Sequence, residues 1–389
     1  MPCRLQKSVI WSLFAVIVSA GAYVRAQSQT GKISTFKLEN YGWQPLPRMQ
    51  HVERPGTRSR LVSIDHKGRV LVGFTARENL SLATREHPEL SLHILRFTPQ
   101  GKIDLSLLLP TKDYFTNGFY LGANDQIIAR ANESLQIVIG ETQNPQTLTW
   151  KTLAPCSMNC RISQSPSRRT LIISESQDSL GHSTMGHTAY STYTVFDASS
   201  LPPRVVQTCS RMAFYAEKIT DKFEYWDGSE GGEPFTRRFP FCDVDHPQEL
   251  PLGWGGILFA PNDAAFLRLG VGKRSSEVEL IGSDGQIKFR HELPRHDVPL
   301  YYAGAWATSD ERGDRFAFVV ETWRGGSRLL DISGNRAARR VVAYTETGQE
   351  IASVPVSTTY HHDFDFSLSP DGHHLAILDE GELSVVELD

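Results

Sequence analysis

The sequence predicts an all-β protein whose sheets are small, similar and arranged in a ring. Three observations predict it. Helical periodicity is nearly absent after residue 26, and short alternating or β-branched runs recur between turn signals. One turn signal recurs near Asp65, Asn124, Pro166, Asp221, Pro261, Asp310 and Pro370, at spacings of 59, 42, 55, 40, 49 and 60 residues. Finally, the last unit is one strand short, while the front of the chain carries a spare strand.

The units can be followed in order. Arg60-Leu-Val-Ser-Ile64, the turn Asp65-His-Lys-Gly68 and Arg69-Val-Leu-Val-Gly-Phe74 read as the first hairpin. Gly at such turns accepts the positive φ that tight connections need. The mean spacing, about 51 residues, matches four strands per unit with loop insertions. A second hairpin signal, at Pro99-Gln-Gly-Lys, Ser283-Asp-Gly-Gln and Glu346-Thr-Gly-Gln, fits the turn between the outer two strands of a unit. In the fourth unit Lys222-Phe-Glu-Tyr-Trp226 alternates cleanly. The acidic stretch Asp227-Gly-Ser-Glu-Gly-Gly-Glu233 then lacks calcium-loop spacing and reads as a solvated hairpin. The last unit runs Phe364-Asp-Phe-Ser-Leu368, Ser369-Pro-Asp-Gly372, His374-Leu-Ala-Ile-Leu378, Asp379-Glu-Gly381 and Leu383-Ser-Val-Val-Glu-Leu388. It has three strands, and residues 31–39 can supply the fourth, removing two free sheet edges. The expectation is a seven-bladed β-propeller, closed by an N-terminal strand that completes the last blade. Residues 27–389 are expected to form one domain, since no low-complexity linker interrupts them.

Residues 1–26 read as a secretory signal. Arg4 and Lys7 precede an apolar run from Val9 to Val18, and cleavage is expected after Ala22 or Ala26, with an uncleaved anchor as the alternative. The expected compartment is periplasmic or extracellular. Cleavage after Ala26 leaves 37 basic against 44 acidic residues, a net charge of −7. That balance disfavours nucleic acid and anionic membranes as partners. Four of the five cysteines remain: Cys156, Cys160, Cys209 and Cys242. An even number in an exported chain suggests two disulfides. Of the three possible pairings, Cys156–Cys160 with Cys209–Cys242 is preferred because each pair is local. Zinc would require a second Cys or His pair that the sequence lacks.

The segment Leu368-Ser-Pro-Asp-Gly-His-His-Leu-Ala376 has echoes at Ser163-Gln-Ser-Pro-Ser-Arg-Arg-Thr-Leu171 and Phe259-Ala-Pro-Asn-Asp-Ala264. On these residues the chain resembles secreted bacterial β-propellers of the WD-repeat-like or TolB-like kind. The strong match covers about one blade. The resemblance implies a fold and leaves function to the site.

No nucleophile elbow, phosphate loop, dinucleotide fingerprint or His-Glu-x-x-His motif is present, so no catalytic residue and no cofactor is assigned. Three connections from an outer strand to the next inner strand combine aromatic and polar residues: Lys112-Asp-Tyr-Phe115, Arg295-His-Asp-Val-Pro-Leu-Tyr-Tyr302 and Tyr360-His-His-Asp363. Tyr114, His296, Asp297, Tyr301, Tyr302, Tyr360, His361 and Asp363 are therefore the candidate ligand-binding residues. Tyr offers apolar area and a hydroxyl, and His and Asp offer orientable polar contacts. The competing reading is that each Asp caps its own turn and pairs locally. His361 and Asp363 could share a metal, whereas adjacent His361 and His362 on a strand point apart; no metal site is assigned. The function expected is a non-catalytic binding or assembly module of the cell envelope, recognising a protein or small-molecule ligand at one propeller face. The alternative is a hydrolase or lyase at the same channel mouth, with metal assistance in one version. Missing acid–base and nucleophile sets favour the first.

Overall fold

The structure is a computed structural model that describes residues 32–41, 60–76, 90–111, 118–139, 148–157, 160–176, 190–212, 218–230, 233–243, 245–250, 255–271, 276–294, 296–299, 307–323, 336–358 and 364–389. The seven expected sheets are present, all antiparallel, and follow one another around a ring. Blade I is β2 (Val62–Ile64), β3 (Val70–Ala76), β4 (Leu90–Phe97) and β5 (Ile103–Thr111). Blade II is β6 (Phe119–Leu121), β7 (Ile127–Ala131), β8 (Ser134–Ile139) and β9 (Thr149–Pro155). Blade III is β10 (Cys160–Gln164), β11 (Thr170–Ser176), β12 (Tyr190–Asp197) and β13 (Arg204–Met212). Blade IV is β14 (Lys218–Ile219), β15 (Phe223–Glu230), β16 (Glu233–Pro240) and β17 (Gln248–Glu249). Blade V is β18 (Gly255–Asn262), β19 (Ala265–Val271), β20 (Ser276–Gly282) and β21 (Ile287–Glu292). Blade VI is β22 (Asp297–Pro299), β23 (Ala307–Ser309), β24 (Arg315–Trp323), β25 (Arg336–Thr345) and β26 (Glu350–Val356). Blade VII is β27 (Phe364–Leu368), β28 (His374–Asp379) and β29 (Glu382–Glu387), completed by β1 (Lys32–Lys37).

Six of the seven turn anchors fall between the first two strands of a blade, and the seventh, Pro261, lies at the end of β18. One segment differs in detail from the sequence reading. Part of the connection expected across Arg295–Tyr302 is strand: Asp297–Pro299 pairs with Thr322, Glu321 and Val320 on β24, above β23 on the same neighbour. Blade VI therefore has its inner strand in two pieces. Pro299 lacks an N–H for the ladder and sits where the first piece ends. In blade IV the acidic hairpin pairs as far as Glu230 with Glu233.

Packing follows from the two-residue period of strands. Val70 and Val72 face blade VII, while Leu71 between them faces blade II. On β24, Phe316, Phe318 and Val320 face blade V; Ala317 and Val319 face blade VII. Each of the buried clusters among the described residues spans two neighbouring blades, and together they cover all seven junctions. No blade has a core of its own. Both faces of each sheet need a neighbour, and the ring satisfies that for every blade at once.

Closure occurs where the chain's two ends meet. Lys32 through Lys37 pair with Val386 through Glu382, and the Leu38 N–H donates to the carbonyl of Gly381. Phe36 stacks on Phe97 of blade I at 4.8 Å. A Cβ at Gly101, a positive-φ turn residue, would lie 2.6 Å from that Phe36 ring, so only glycine fits there. The closing strand thus completes blade VII and seats on blade I. Two disulfides brace other junctions: Cys156–Cys160 joins the end of blade II to β10, and Cys209–Cys242 ties β13 to the turn after β16.

Two outcomes are expected. Removing residues 1–39 leaves β29 as a bare edge; thermal unfolding by circular dichroism should lose its single sharp transition or fall by many degrees, with aggregation at the exposed edge. Replacing Cys209 and Cys242 together by Ser should cost roughly 3–4 kcal/mol in urea denaturation, the loop entropy the cross-link removes from the unfolded chain.

Candidate functional site

Antiparallel order places two kinds of turn at each end of the ring. The turns between the first and second strands, and between the third and fourth, lie at what we term the lower end. The connections from blade to blade lie at the upper end, and the three predicted aromatic–polar segments belong to them by position in the chain. Tyr114, Tyr301, Tyr302, Tyr360, His361 and Asp363 lie outside the described residues. His296 and Asp297 lie within them and behave differently. His296 is exposed in a left-handed conformation (φ 78°), and its carbonyl accepts the Trp323 N–H at 3.0 Å. Asp297 is 5% exposed; its Oδ1 accepts the Thr322 hydroxyl at 2.6 Å and its Oδ2 lies 2.6 Å from Arg340 Nη2. The histidine is presented to solvent, while the aspartate fastens β22 to β24 and β25.

The same blade carries a second buried pair. Glu321 accepts from Arg339 Nε at 2.9 Å and Nη2 at 2.7 Å, both residues almost fully buried. In blade V, Glu279 is 1% exposed and accepts from Arg268 Nε at 2.9 Å and Arg290 Nε at 2.6 Å. Such pairs are rigid when every partner is in place and costly when one is removed.

The inner wall of the ring has a node that sequence reasoning missed. The backbone of Arg60 exchanges two hydrogen bonds with Phe119 of blade II, at 3.1 and 2.9 Å. Its guanidinium donates to the Ala307 carbonyl of blade VI at 3.1 Å and to Asp365 of blade VII at 3.2 Å. Asp365, 2% exposed, returns the contact: its Oδ2 accepts the Leu61 N–H at 2.7 Å and the Val62 N–H at 3.3 Å. One arginine therefore links four blades. Nearby, burial holds the Tyr120 hydroxyl well above its ordinary range, against the pull of Arg130 and Arg60, so it stays protonated and donates to the Ile162 carbonyl at 3.5 Å.

At the lower end the first-to-second-strand turns share one geometry. In Asp65–Gly68, Gly122–Asp125, Ser165–Arg168, Asp310–Gly313 and Ser369–Gly372 the fourth residue donates its N–H to the carbonyl of the first and has positive φ. Glycine holds that position in three of the five. Asp125 (φ 59°) and Arg168 (φ 62°) hold it in blades II and III, at roughly 1–2 kcal/mol of backbone cost each. Their side chains reach other blades. Asp125 Oδ1 lies 2.8 Å from His66 Nδ1 of blade I, and Arg168 Nη2 donates to the Ile64 carbonyl of blade I at 2.8 Å. Non-glycine residues at a glycine position were the signal, visible once the five turns are aligned. Among the described residues no group of three or more His, Cys, Asp or Glu is arranged to hold a metal ion, and no helix is long and apolar enough to cross a membrane.

No known family profile matches the chain, and no curated protein does. Solved structures resemble it at low identity. A chain of the mitotic checkpoint complex is similar at 10% identity and a TM-score of 0.46, covering 94% of each chain. A streptogramin B lyase is similar at 10% identity and 0.41, covering 87% of this chain and 96% of the other. Hydrazine synthase of Kuenenia stuttgartiensis is similar at 11% identity and 0.37, covering 88% and 80%.

The Arg60–Asp365 node generates a direct test. Asp365→Ala strands two buried N–H groups and removes the carboxylate partner of the Arg60 guanidinium, and should cost about 3–5 kcal/mol in urea denaturation. Arg60→Ala alone should cost less, since Asp365 keeps its two backbone donors. In a double-mutant cycle the two losses should fall short of adding, because both substitutions break one contact.

Proposed function

We propose that this protein is an exported binding module that recognises a protein or small-molecule ligand with the upper end of its ring. Residues 27–389 act as one rigid domain after the first 26 are removed. Recognition falls to Tyr114, His296, Tyr301, Tyr302, Tyr360, His361 and Asp363, with Asp297 holding the segment that presents its neighbours. The observation that carries the reading is the contrast between His296 and Asp297. Adjacent residues of one predicted segment divide the work: the carboxylate is locked to Thr322 and Arg340, and the imidazole is left facing solvent. A rigid scaffold that spends its buried polar groups on holding loops, and exposes orientable ones on them, suits recognition.

The lower end supports the same assignment. Its polar groups bond from blade to blade, so they are engaged already: Asp263 accepts the Lys222 N–H at 3.3 Å, Asn262 donates to the Arg312 carbonyl at 3.1 Å, and the Glu311 N–H donates to the Pro370 carbonyl at 3.2 Å. Two disulfides support export, because such bonds persist in oxidising compartments.

The test compares two variants in one capture experiment. Immobilised wild type and the triple variant Tyr301→Ala, Tyr302→Ala, Tyr360→Ala are exposed to envelope extract of the producing cell, beside a lower-end control, Lys67→Ala. A species held by wild type and the control, and reduced at least tenfold by the triple variant, is the expected result. A species retained by the triple variant and lost from the control places recognition at the other end and defeats the proposal.

A further inference from the structure

The lower mouth of the channel holds a cluster that recognition at the upper end does not use. His66, in the second position of the blade I turn, is 39% exposed and lies between two carboxylates from different blades. Its Nδ1 is 2.8 Å from Asp125 Oδ1 of blade II, and its Nε2 is 3.0 Å from Glu311 Oε1 of blade VI. The His66 backbone N–H also faces the Asp125 carboxylate, at 3.2 and 3.3 Å. Blades I and II are neighbours, but blade VII separates I from VI. The His66–Glu311 contact is therefore a chord across the mouth, and the Arg168–Ile64 bond, passing over blade II, is another.

A neutral imidazole carries one N–H and one lone pair. It can donate to Asp125 or to Glu311, and the other nitrogen then turns its lone pair toward a carboxylate oxygen. Only the imidazolium carries an N–H on each ring nitrogen and a positive charge that attracts both carboxylates. We propose that protonation of His66 latches the lower mouth, tying blades I, II and VI together, and that its deprotonation releases the tie to Glu311.

The surrounding charges agree. Asp65, at the head of the same turn, is taken up by Arg69 Nε at 2.6 Å, and Arg60 is held by Asp365, so the first adds no free carboxylate and the second no free cation beside His66. Arg168, 8% exposed, brings one positive charge within reach of Glu311, Asp125 and Asp65 without joining them; its Nη1 has no partner among the described residues. Two carboxylates against that single buried cation leave room for a second positive charge. Partial burial pulls the His66 imidazole down, yet the hydrogen bonds and charges of Asp125 and then Glu311 outweigh it and hold the group above its ordinary 6.5. The sign follows: a raised value in the folded chain means the latch contributes fully below pH 6.5 and is lost as pH rises through the folded value.

The experiment follows the His66 ring by its proton–nitrogen resonances from pH 5 to 9 in the whole protein, with Glu311→Gln beside it. The midpoint is expected above 6.5 in wild type and lower in the variant by at least half a unit. In parallel, amide exchange at the Gly68 and Gly313 turns, corrected for intrinsic pH dependence, should be at least threefold faster at pH 8.5 than at pH 5.5. That ratio should collapse toward one in His66→Gln, or in Glu311→Gln if the first variant does not fold. A wild-type midpoint at or below 6.5, a midpoint indifferent to Glu311→Gln, or an exchange ratio that survives in the variants overturns the latch.

Discussion

The contact between Asp365 and Arg60 sits where the ring must shut. A chain of small sheets packed face to face gains from each neighbour, but its first and last members each have one bare face until the circle closes. Blades I and VII are those members. Asp365 accepts two N–H groups from the start of β2, and Arg60 donates across to blades VI and VII while its backbone pairs with blade II. Strand β1 then adds the last edge of blade VII and lays Phe36 on blade I. The inner node and the outer strand close the same seam at two radii. Losing either exposes the buried cluster that joins Leu61, Val62 and Val72 to Leu378 and Leu383.

That seam explains why the strands are so uniform. Each sheet is apolar on both faces, so its side chains must suit two neighbours with a period of two. In blade VI the large residues face one junction and smaller ones face the other. Phe316 and Phe318 stack against Tyr344 on the blade V side, at 6.2 and 5.6 Å between centroids, while Ala317 and Val319 face blade VII and meet Phe364 and Phe366.

Most of this was legible because it is local. Turn chemistry at Asp65, Asn124, Pro166 and Pro370 is written in three or four adjacent residues, and the missing fourth strand of the last unit is a count anyone can make along the chain. The disulfide pairing was legible for the same reason, one bridge spanning 4 residues and the other 33. What could not be read is what crosses the ring. Arg60 and Asp365 are 305 positions apart, and nothing near either announces the other. Asp297 was legible as a polar turn residue, but its choice of Arg340 over solvent depends on the third strand of its blade, 43 positions on. The split of the first strand of blade VI was invisible because Asp297-Val-Pro299 is too short to carry a period.

The two ends of the channel differ in what their residues are free to do. At the lower end, glycine would suit the fourth turn position in every blade, and blades I, VI and VII have it. Blades II and III accept a less favourable backbone there, and what they gain is a charged side chain aimed inward at the level where the seven turns converge. A backbone cost of that size persists only when the surroundings repay it with specific contacts, and here those contacts all lead to blade I. Blade I is also the blade that Arg60, Asp365 and Phe36 secure. The inner wall and lower mouth therefore converge on the blade most exposed to loss when the ring opens.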